Sequence, residues 1–157
     1  MKDFPELELI VIGKLRDGPT SKELNKRGIK NKVKFVSDLT SNQIAELYAE
    51  STIAVSPSVY EGFGFPAGEA MSCGIPLVST NGGSLPEVVG DAGIIVNHSD
   101  PTSLYQGIKQ LLDNDEKRLV YGKMGRKRVL DKFTWKRAAQ ELSLIRISEP
   151  TRLEPIS

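Results

Sequence analysis

The alternation of five short apolar runs with longer segments of helical period is the feature of this sequence that most constrains its fold. The runs are LELIVI (7–12), VKFV (33–36), TIAV (52–55), PLVST (76–80) and GIIV (93–96). Each is too short for a helix and mostly apolar on both faces, as strands buried between helices are. We therefore expect βαβ units in an open parallel sheet with helices on both faces, the α/β fold class.

The ends of the intervening helices are marked by capping residues. Three starts carry a capping box or an aspartate before proline, and they are Thr40–Gln43, Ser84–Glu87 and Asp100–Pro101. Gly74 and Gly90 stand where two helices are expected to end. These signals predict helices after the second, fourth and fifth apolar runs.

Length and composition fit one domain with a real core, since the chain has 157 residues, 39% of them hydrophobic, and a net charge of +1. No charge excess of the kind that binds nucleic acid is present. The single cysteine, Cys73, is consistent with a reducing compartment, and no apolar run approaches the ~20 residues of a membrane span. The first residues lack the order of a secretory signal, so we expect a cytoplasmic protein. Residues 1–142 are expected to form the domain, and residues 143–157, with two prolines and no coherent period, a flexible or foreign tail.

The segment YEGFGFPAGEAMSCG (60–74) follows the run at 52–55, and open α/β sheets bind their ligands at the carboxyl ends of their strands. Gly62 and Gly64 allow backbone N–H groups to approach a ligand's oxygens closely. Pro66 is suited to the first position of a helix whose N-terminus would favour an anion such as a phosphate. From spacing alone, Glu69 is open to two interpretations, a helix-end carboxylate or a binding residue.

The stretch EGFGFPAGEAMSCGIPLV resembles the E-x7-E signature of retaining glycosyltransferases of the group 1 (family 4) type. The resemblance extends through VKFVSDLTSNQIAELYAE, STNGGSLPEVVGDAGIIV and FTWKRAA, and covers roughly residues 7–142. It implies a GT-B fold of two Rossmann-like domains, with this chain as the second, nucleotide-sugar-binding domain, incomplete at its N-terminal side. The implied enzyme is hexosyltransferase-like, acts in polysaccharide or glycolipid biosynthesis, and moves a sugar from a nucleoside-diphosphate sugar to a hydroxyl acceptor with retained configuration.

The resemblance also assigns roles to individual residues. Glu61 falls on the catalytic position beside the transferred sugar, and Glu69 on the position that accepts hydrogen bonds from the ribose hydroxyls. Backbone contacts to the sugar and diphosphate fall on Gly62, Phe63, Gly64 and Phe65. Main-chain contacts to the base fall on Val36 and Ser37. No metal and no other cofactor is expected.

The sequence departs from the family pattern in two places. The family's arginine and lysine follow the first strand of this domain, whereas LELIVI matches the second strand, so Lys14 and Arg16 are expected to be ordinary solvated charges. The N-terminal acceptor domain and its histidine have no counterpart in these residues, and His98 is expected at the surface. The isolated chain is therefore expected to be inactive. Alternatives are a non-catalytic sugar-nucleotide-binding module, a truncated product, or an epimerase of the same architecture.

Two charged segments have alternative interpretations. Residues 116–137 hold nine Lys or Arg against two Asp or Glu, which indicates either a solvated helical face or a peripheral contact with an anionic membrane. The DND sequence at 113–115 has the form of a metal-binding D-x-D, but it lies between two helical stretches and is expected to be a loop. The nucleotide base, the sugar and the acceptor are not determined by these residues.

Overall fold

The computed structural model of the chain describes residues 4–134 and 136–137. The chain divides into two compact units, with the boundary between Ile44 and Ala45. Both units are built from parallel strands and helices, so the predicted α/β class is confirmed.

The first unit holds a two-stranded parallel sheet. Its elements are β1 (Leu9–Ile12), α1 (Pro19–Lys26), a 3-10 helix (Lys30–Lys32), β2 (Val33–Val36) and the start of α2 (Ser41–Glu50). The strands run in register, with Leu9 opposite Val33. The capping box predicted at the start of α2 is confirmed, because the Thr40 amide donates to Gln43 Oε1 (2.9 Å) and the Gln43 amide to Thr40 Oγ1 (3.3 Å).

The second unit holds a three-stranded parallel sheet and most of the helices. Its elements after α2 are β3 (Ala54–Ser56), α3 (Phe65–Ser72), β4 (Leu77–Thr80), α4 (Leu85–Val89), β5 (Ile94–Val96), α5 (Pro101–Leu112) and α6 (Asp115–Lys132). The strand order is β3-β4-β5, and all four residues of the central strand β4 are buried. Burial on both faces is expected of a central parallel strand that is covered by helices.

Helices cover both faces of this second sheet. Because successive residues of a strand point to opposite faces, Leu77 and Val78 mark the two sides of β4. Leu77 belongs to the buried cluster that includes Met71 of α3. On the other side, a Cβ built on Gly107 of α5 would lie 3.0 Å from Val78 Cγ1, so α5 packs directly on the sheet there.

Helix α6 packs so closely on α3 and the turn after it that two of its positions leave little room for a side chain. A Cβ built on Gly122 would lie 2.3 Å from the Gly74 carbonyl oxygen, and one on Gly125 would lie 3.3 Å from Met71 Cγ. Glycine at these two positions lets α6 pack closely on α3 and on the turn that follows it, and α3 is the helix that follows the loop at residues 57–64. Within residues 4–134 and 136–137, no helix is both long enough and apolar enough to cross a bilayer.

Three expectations need correction. The five strands form two sheets of two and three strands, because pairing depends on tertiary contacts that the composition of a strand does not specify. The Ser84–Glu87 capping box is absent, since Ser84 Oγ donates to the Glu61 carbonyl instead. Helix α3 begins at Phe65, which makes Pro66 its second residue. The proposed tail, 143–157, lies outside the described residues.

Candidate functional site

The E-x7-E loop, residues 57–64, joins the carboxyl end of β3 to α3. It ends at Gly64, which has φ of +89° and is buried. A Cβ built there would lie 2.8 Å from Leu85 Cδ2, and Leu85 is fully buried. Glycine is therefore needed at position 64 both for the left-handed backbone and for the close packing. Gly62 differs, because its φ is not positive and a Cβ would meet nothing within 4 Å.

Glu61 is held at both its side chain and its main chain. Ser58 Oγ donates to Glu61 Oε1 at 2.7 Å, and the amide and hydroxyl of Ser84 both donate to the Glu61 carbonyl, at 3.0 and 3.1 Å. No ion pair to Glu61 exists among the described residues. A carboxylate accepts at about four lone-pair positions, so this half-buried side chain retains free acceptors for a ligand.

The turn after β4 packs against the E-x7-E loop without room for side chains. A Cβ on Gly82 would lie 2.5 Å from the Val59 carbonyl oxygen, and one on Gly83 would lie 2.3 Å from the Glu61 carbonyl oxygen. The sequence STNGG is thus a turn whose glycines permit two backbones to meet. It supports the loop that carries Glu61.

Backbone N–H groups at the start of α3 are available to a ligand. Within the described part of the chain, the amides of residues 62–65 donate to no protein acceptor, whereas the Gly68 amide donates to the Gly64 carbonyl. Such free N–H groups at a helix N-terminus favour an anion. At the start of α5 the equivalent position is occupied, because Asp100 Oδ1 accepts from the amides of Thr102 and Ser103, both at 3.0 Å. The cap predicted at Asp100 is thereby confirmed.

Two phenylalanines of the motif border these amides. Phe63 and Phe65 lie with ring centroids 4.8 Å apart, and the Phe63 ring makes an edge contact with Phe133 at 5.8 Å. Phe65 is 70% exposed. The Phe63 ring is thus anchored on the protein, while Phe65 presents an open aromatic face beside the helix start.

Glu69 is the fifth residue of α3, exposed, and close to Tyr48 of α2. Burial raises the pKa of the Tyr48 hydroxyl, and the negative charges of Glu69 and then Cys73 add to the rise. Tyr48 Oη donates to the Pro66 carbonyl at 3.3 Å. The Glu69 side chain makes no hydrogen bond or ion pair among the described residues, so its carboxylate oxygens are free to accept.

The predicted base-binding residues, Val36 and Ser37, lie in the first unit at the end of β2. The Val36 carbonyl already accepts from the Gly13 amide at 2.7 Å, while Ser37 lines an open cavity of about 420 Å³ together with Lys14. Lys14 Nζ lies 3.0 Å from Asp38 Oδ2, and hydrogen bonds from Lys14 and then Ser37 hold the pKa of Asp38 below its ordinary value. The Lys14 side chain is exposed, and its ion pair with Asp38 was not predicted from the sequence.

The structure also shows the surroundings of His98, of the D-x-D sequence and of the potential metal ligands. His98 is exposed, and its amide donates to Asn81 Oδ1 at 2.8 Å. Asn114 of the D-x-D sequence caps α6 by accepting from the Lys117 amide at 2.8 Å, so this segment is the connection that was predicted. Nowhere in residues 4–137 do three or more His, Cys, Asp or Glu side chains form a group able to hold a metal ion.

Sequence reasoning missed three residues of the site: Ser58, Tyr48 and the hydroxyl of Ser84. The Ser58–Glu61 spacing of three is a pattern of local side-chain bonding that could have indicated the first. The other two contact Glu61 or α3 only through tertiary packing and leave no local signal. The structure brings Glu61, the free amides and Glu69 onto one loop and helix.

Comparison with known proteins gives consistent results. The family described as glycosyl transferases group 1 matches residues 1–128. An MMP alpha-(1->4)-mannosyltransferase of Mycolicibacterium hassiacum is 37% identical over 140 residues, which are 87% of this chain and 34% of that protein. The chain spans about a quarter to a third of the length of the curated relatives it matches.

Two solved structures show the same fold. The C-terminal domain of a glycosyl transferase group 1 family protein (LpcC) from Francisella tularensis superposes with a TM-score of 0.74 at 28% identity, covering 85% of this chain and 73% of that one. Anabaena Alr3699/HepE in complex with UDP superposes with a TM-score of 0.77 at 22% identity, covering 88% of this chain and 41% of that one.

Proposed function

Because this chain belongs to the group 1 glycosyltransferases, we propose that it binds the nucleoside-diphosphate sugar of a retaining transfer to a hydroxyl acceptor. One observation carries the proposal. The free backbone amides of residues 62–65 lie next in the chain to Glu61, whose carboxylate is held by Ser58. Anion-binding and hydroxyl-binding groups are thus adjacent, as a sugar diphosphate requires.

The diphosphate is assigned to the start of α3. Its oxygens accept from the amides of residues 62–65, and the positive end of the helix dipole adds to the attraction. During transfer the leaving diphosphate gains charge, and preorganised N–H donors aimed at it lower the barrier. In this proposal protein groups stabilise the leaving group and no metal ion takes part.

The transferred sugar is assigned to Glu61. Its free acceptor positions bind sugar hydroxyls, and its negative charge stabilises the positive charge that develops at the anomeric carbon. Because Ser58 holds the carboxylate before the ligand arrives, little ordering is left for the binding step.

The ribose is assigned to Glu69, whose exposed carboxylate has free acceptors for the two vicinal hydroxyls. HepE, which shares the fold, was solved with UDP, and a nucleoside diphosphate is the ligand proposed here.

The chain alone is proposed not to transfer sugar. We propose that the whole enzyme has an acceptor-binding domain, which is supported by the match to an isolated C-terminal domain and by the span of about a third of the mannosyltransferase relative. Without that domain no hydroxyl is held against the anomeric carbon, and the advantage of proximity is lost. The relatives are transferases, which favours this function over a binding module or an epimerase.

Amide chemical shifts provide the test. The 157-residue chain, labelled with nitrogen-15, is titrated separately with UDP, GDP and ADP. At least one nucleotide is expected to shift the amides of residues 62–65, while those of Thr102 and Ser103, already bonded to Asp100, stay unchanged. Shifts confined to the start of α5, or no shift with any nucleotide, would contradict the proposal.

A second part of the proposal concerns α6 and an anionic membrane. Leu119 and Leu130 are 66% and 57% exposed, and the exposed Lys123 and Lys127 lie on the same helix face. The helix carries seven Lys or Arg against three Asp or Glu. Exposed leucines interleaved with lysines are suited to the surface of an anionic bilayer, where a lipid acceptor would reside.

Vesicle sedimentation tests this part. The chain is expected to bind phosphatidylglycerol vesicles more than phosphatidylcholine vesicles. Lys123→Glu is expected to reduce that binding by about tenfold or more, since it removes one positive charge and adds one negative charge, and each charge near such a surface is worth about 1 kcal/mol. Lys22→Glu on α1 changes the charge equally and is the control. Equal losses in the two variants would show that net charge alone is responsible.

A further inference from the structure

The Glu61 carboxylate is connected to the buried sheet through a chain of hydrogen bonds. Thr80, the last residue of β4, is only 2% exposed, and its hydroxyl donates to the Ser58 carbonyl. Ser58 Oγ in turn donates to Glu61 Oε1 at 2.7 Å. The side chain that is proposed to contact the sugar is thus tied, in two steps, to the central and fully buried strand of the unit.

The main chain of Glu61 is fixed from the other side by the turn after β4. Ser84 donates twice to the Glu61 carbonyl, and the absence of a side chain on Gly83 allows this approach. Both restraints come from the turn and the end of one strand, residues 80–84. Glu69 has nothing comparable, because its side chain is exposed and makes no polar contact among the described residues.

We propose that Ser58 is a positioning residue that holds the Glu61 carboxylate with Oε1 occupied and Oε2 directed to the sugar, and that Ser84 holds the main chain of Glu61. The proposal rests on the proposed function, in which Glu61 contacts the transferred sugar. In this proposal the part of the site that binds the sugar is preorganised, whereas the part that binds the ribose is adaptable. We therefore expect Ser58 and Ser84 to affect recognition of the sugar and to leave recognition of the nucleotide unaffected.

The first test concerns the position of the carboxylate and needs no ligand. In a crystal structure of Ser58→Ala, the Glu61 side chain is expected to leave its position while the backbone of residues 58–64 stays in place. In Ser58→Thr, which retains a hydroxyl, the carboxylate is expected to return. An unmoved carboxylate in Ser58→Ala would overturn the positioning role.

The second test concerns the sugar and uses calorimetric titration with UDP, GDP and ADP against UDP-glucose, GDP-mannose and ADP-glucose. The measured quantity is the ratio of the nucleotide's Kd to that of its sugar conjugate. Ser58→Ala is expected to lower this ratio about tenfold while the Kd of the nucleotide stays constant, and Ser58→Thr is expected to restore it. Ser51→Ala, which removes a similar hydroxyl bond to the Leu47 carbonyl, is the control and is expected to leave the ratio unchanged.

The outcomes separate this proposal from the one on which it rests. If the carboxylate is displaced in the crystal structure of Ser58→Ala, the positioning role is supported. If, in addition, the unmodified chain binds the sugar conjugate no more tightly than the nucleotide, the proposed contact of Glu61 with the sugar is contradicted. Equal loss of nucleotide and sugar-nucleotide affinity in Ser58→Ala would overturn the positioning role, because general damage to the loop would explain it.

Discussion

Alanine substitution of Gly62 and of Gly64 in the E-x7-E loop tests whether a left-handed backbone and close packing make glycine necessary at one position and dispensable at the other. In Gly64→Ala the new residue must adopt φ near +89°, which costs about 1–2 kcal/mol for an L-residue, and its Cβ would lie 2.8 Å from Leu85 Cδ2. Leu85 is fully buried and cannot move aside freely, so the total loss is expected to be about 2–3 kcal/mol. In Gly62→Ala neither penalty applies.

Thermal unfolding and nucleotide titration measure the two consequences. At about 2–4 °C per kcal/mol for a chain of this size, Gly64→Ala is expected to lower Tm by roughly 4–12 °C, and Gly62→Ala to change it by no more than about 1 °C. Nucleotide affinity is expected to fall in Gly64→Ala, because the free amides at the start of α3 are displaced. If both variants unfold at the same temperature, or Gly62→Ala is the less stable, the reasoning from backbone geometry is wrong.

Three further predictions concern packing and pH. Gly122→Ala places a Cβ 2.3 Å from the Gly74 carbonyl oxygen, and urea unfolding is expected to show a loss of about 1–3 kcal/mol; an unchanged midpoint would contradict the close crossing of α6 and α3. Burial and then the charge of Glu69 raise the pKa of Tyr48, so the folded state keeps a proton that the unfolded state releases as the pH rises. The free energy of unfolding is therefore expected to fall above the ordinary pKa of 10.0, and to fall less in Tyr48→Phe. Backbone N–H groups of α5 lower the pKa of Asp100, so stability is expected to fall below pH 3.8, and less in Asp100→Asn.

Local signals in the sequence predicted the local structure. Strand β2 lies at residues 33–36 as the apolar run indicates, and the caps at Thr40 and Asp100 form as their spacing predicts. Such features depend on hydrogen bonds within a few residues, and the sequence contains all the partners.

Contacts between distant segments were not predictable in the same way. Ser84 has the spacing of a capping box, yet its hydroxyl bonds to the carbonyl of a residue 23 positions earlier, because the turn after β4 packs on the E-x7-E loop. Helix α3 begins one residue before Pro66, because Gly64 adopts a left-handed conformation that the proline does not signal. The sequence motif marks the candidate site, while the hydrogen bonds that support it are visible only in the tertiary structure.

Calorimetric titration of Glu61→Ala and Glu69→Ala with a nucleoside diphosphate alone tests the division of roles between the two carboxylates most directly. UDP, GDP and ADP are each titrated into both variants, into the unmodified chain and into Glu46→Ala, which removes an exposed carboxylate from α2. Glu69→Ala is expected to bind the nucleotide about tenfold or more weakly, since each hydrogen bond to a charged group is worth roughly 1.5–3 kcal/mol, whereas Glu61→Ala and Glu46→Ala keep the affinity of the unmodified chain. Equal nucleotide affinity in the Glu61 and Glu69 variants, or a loss confined to Glu61→Ala, would contradict the assignment of ribose to Glu69 and sugar to Glu61.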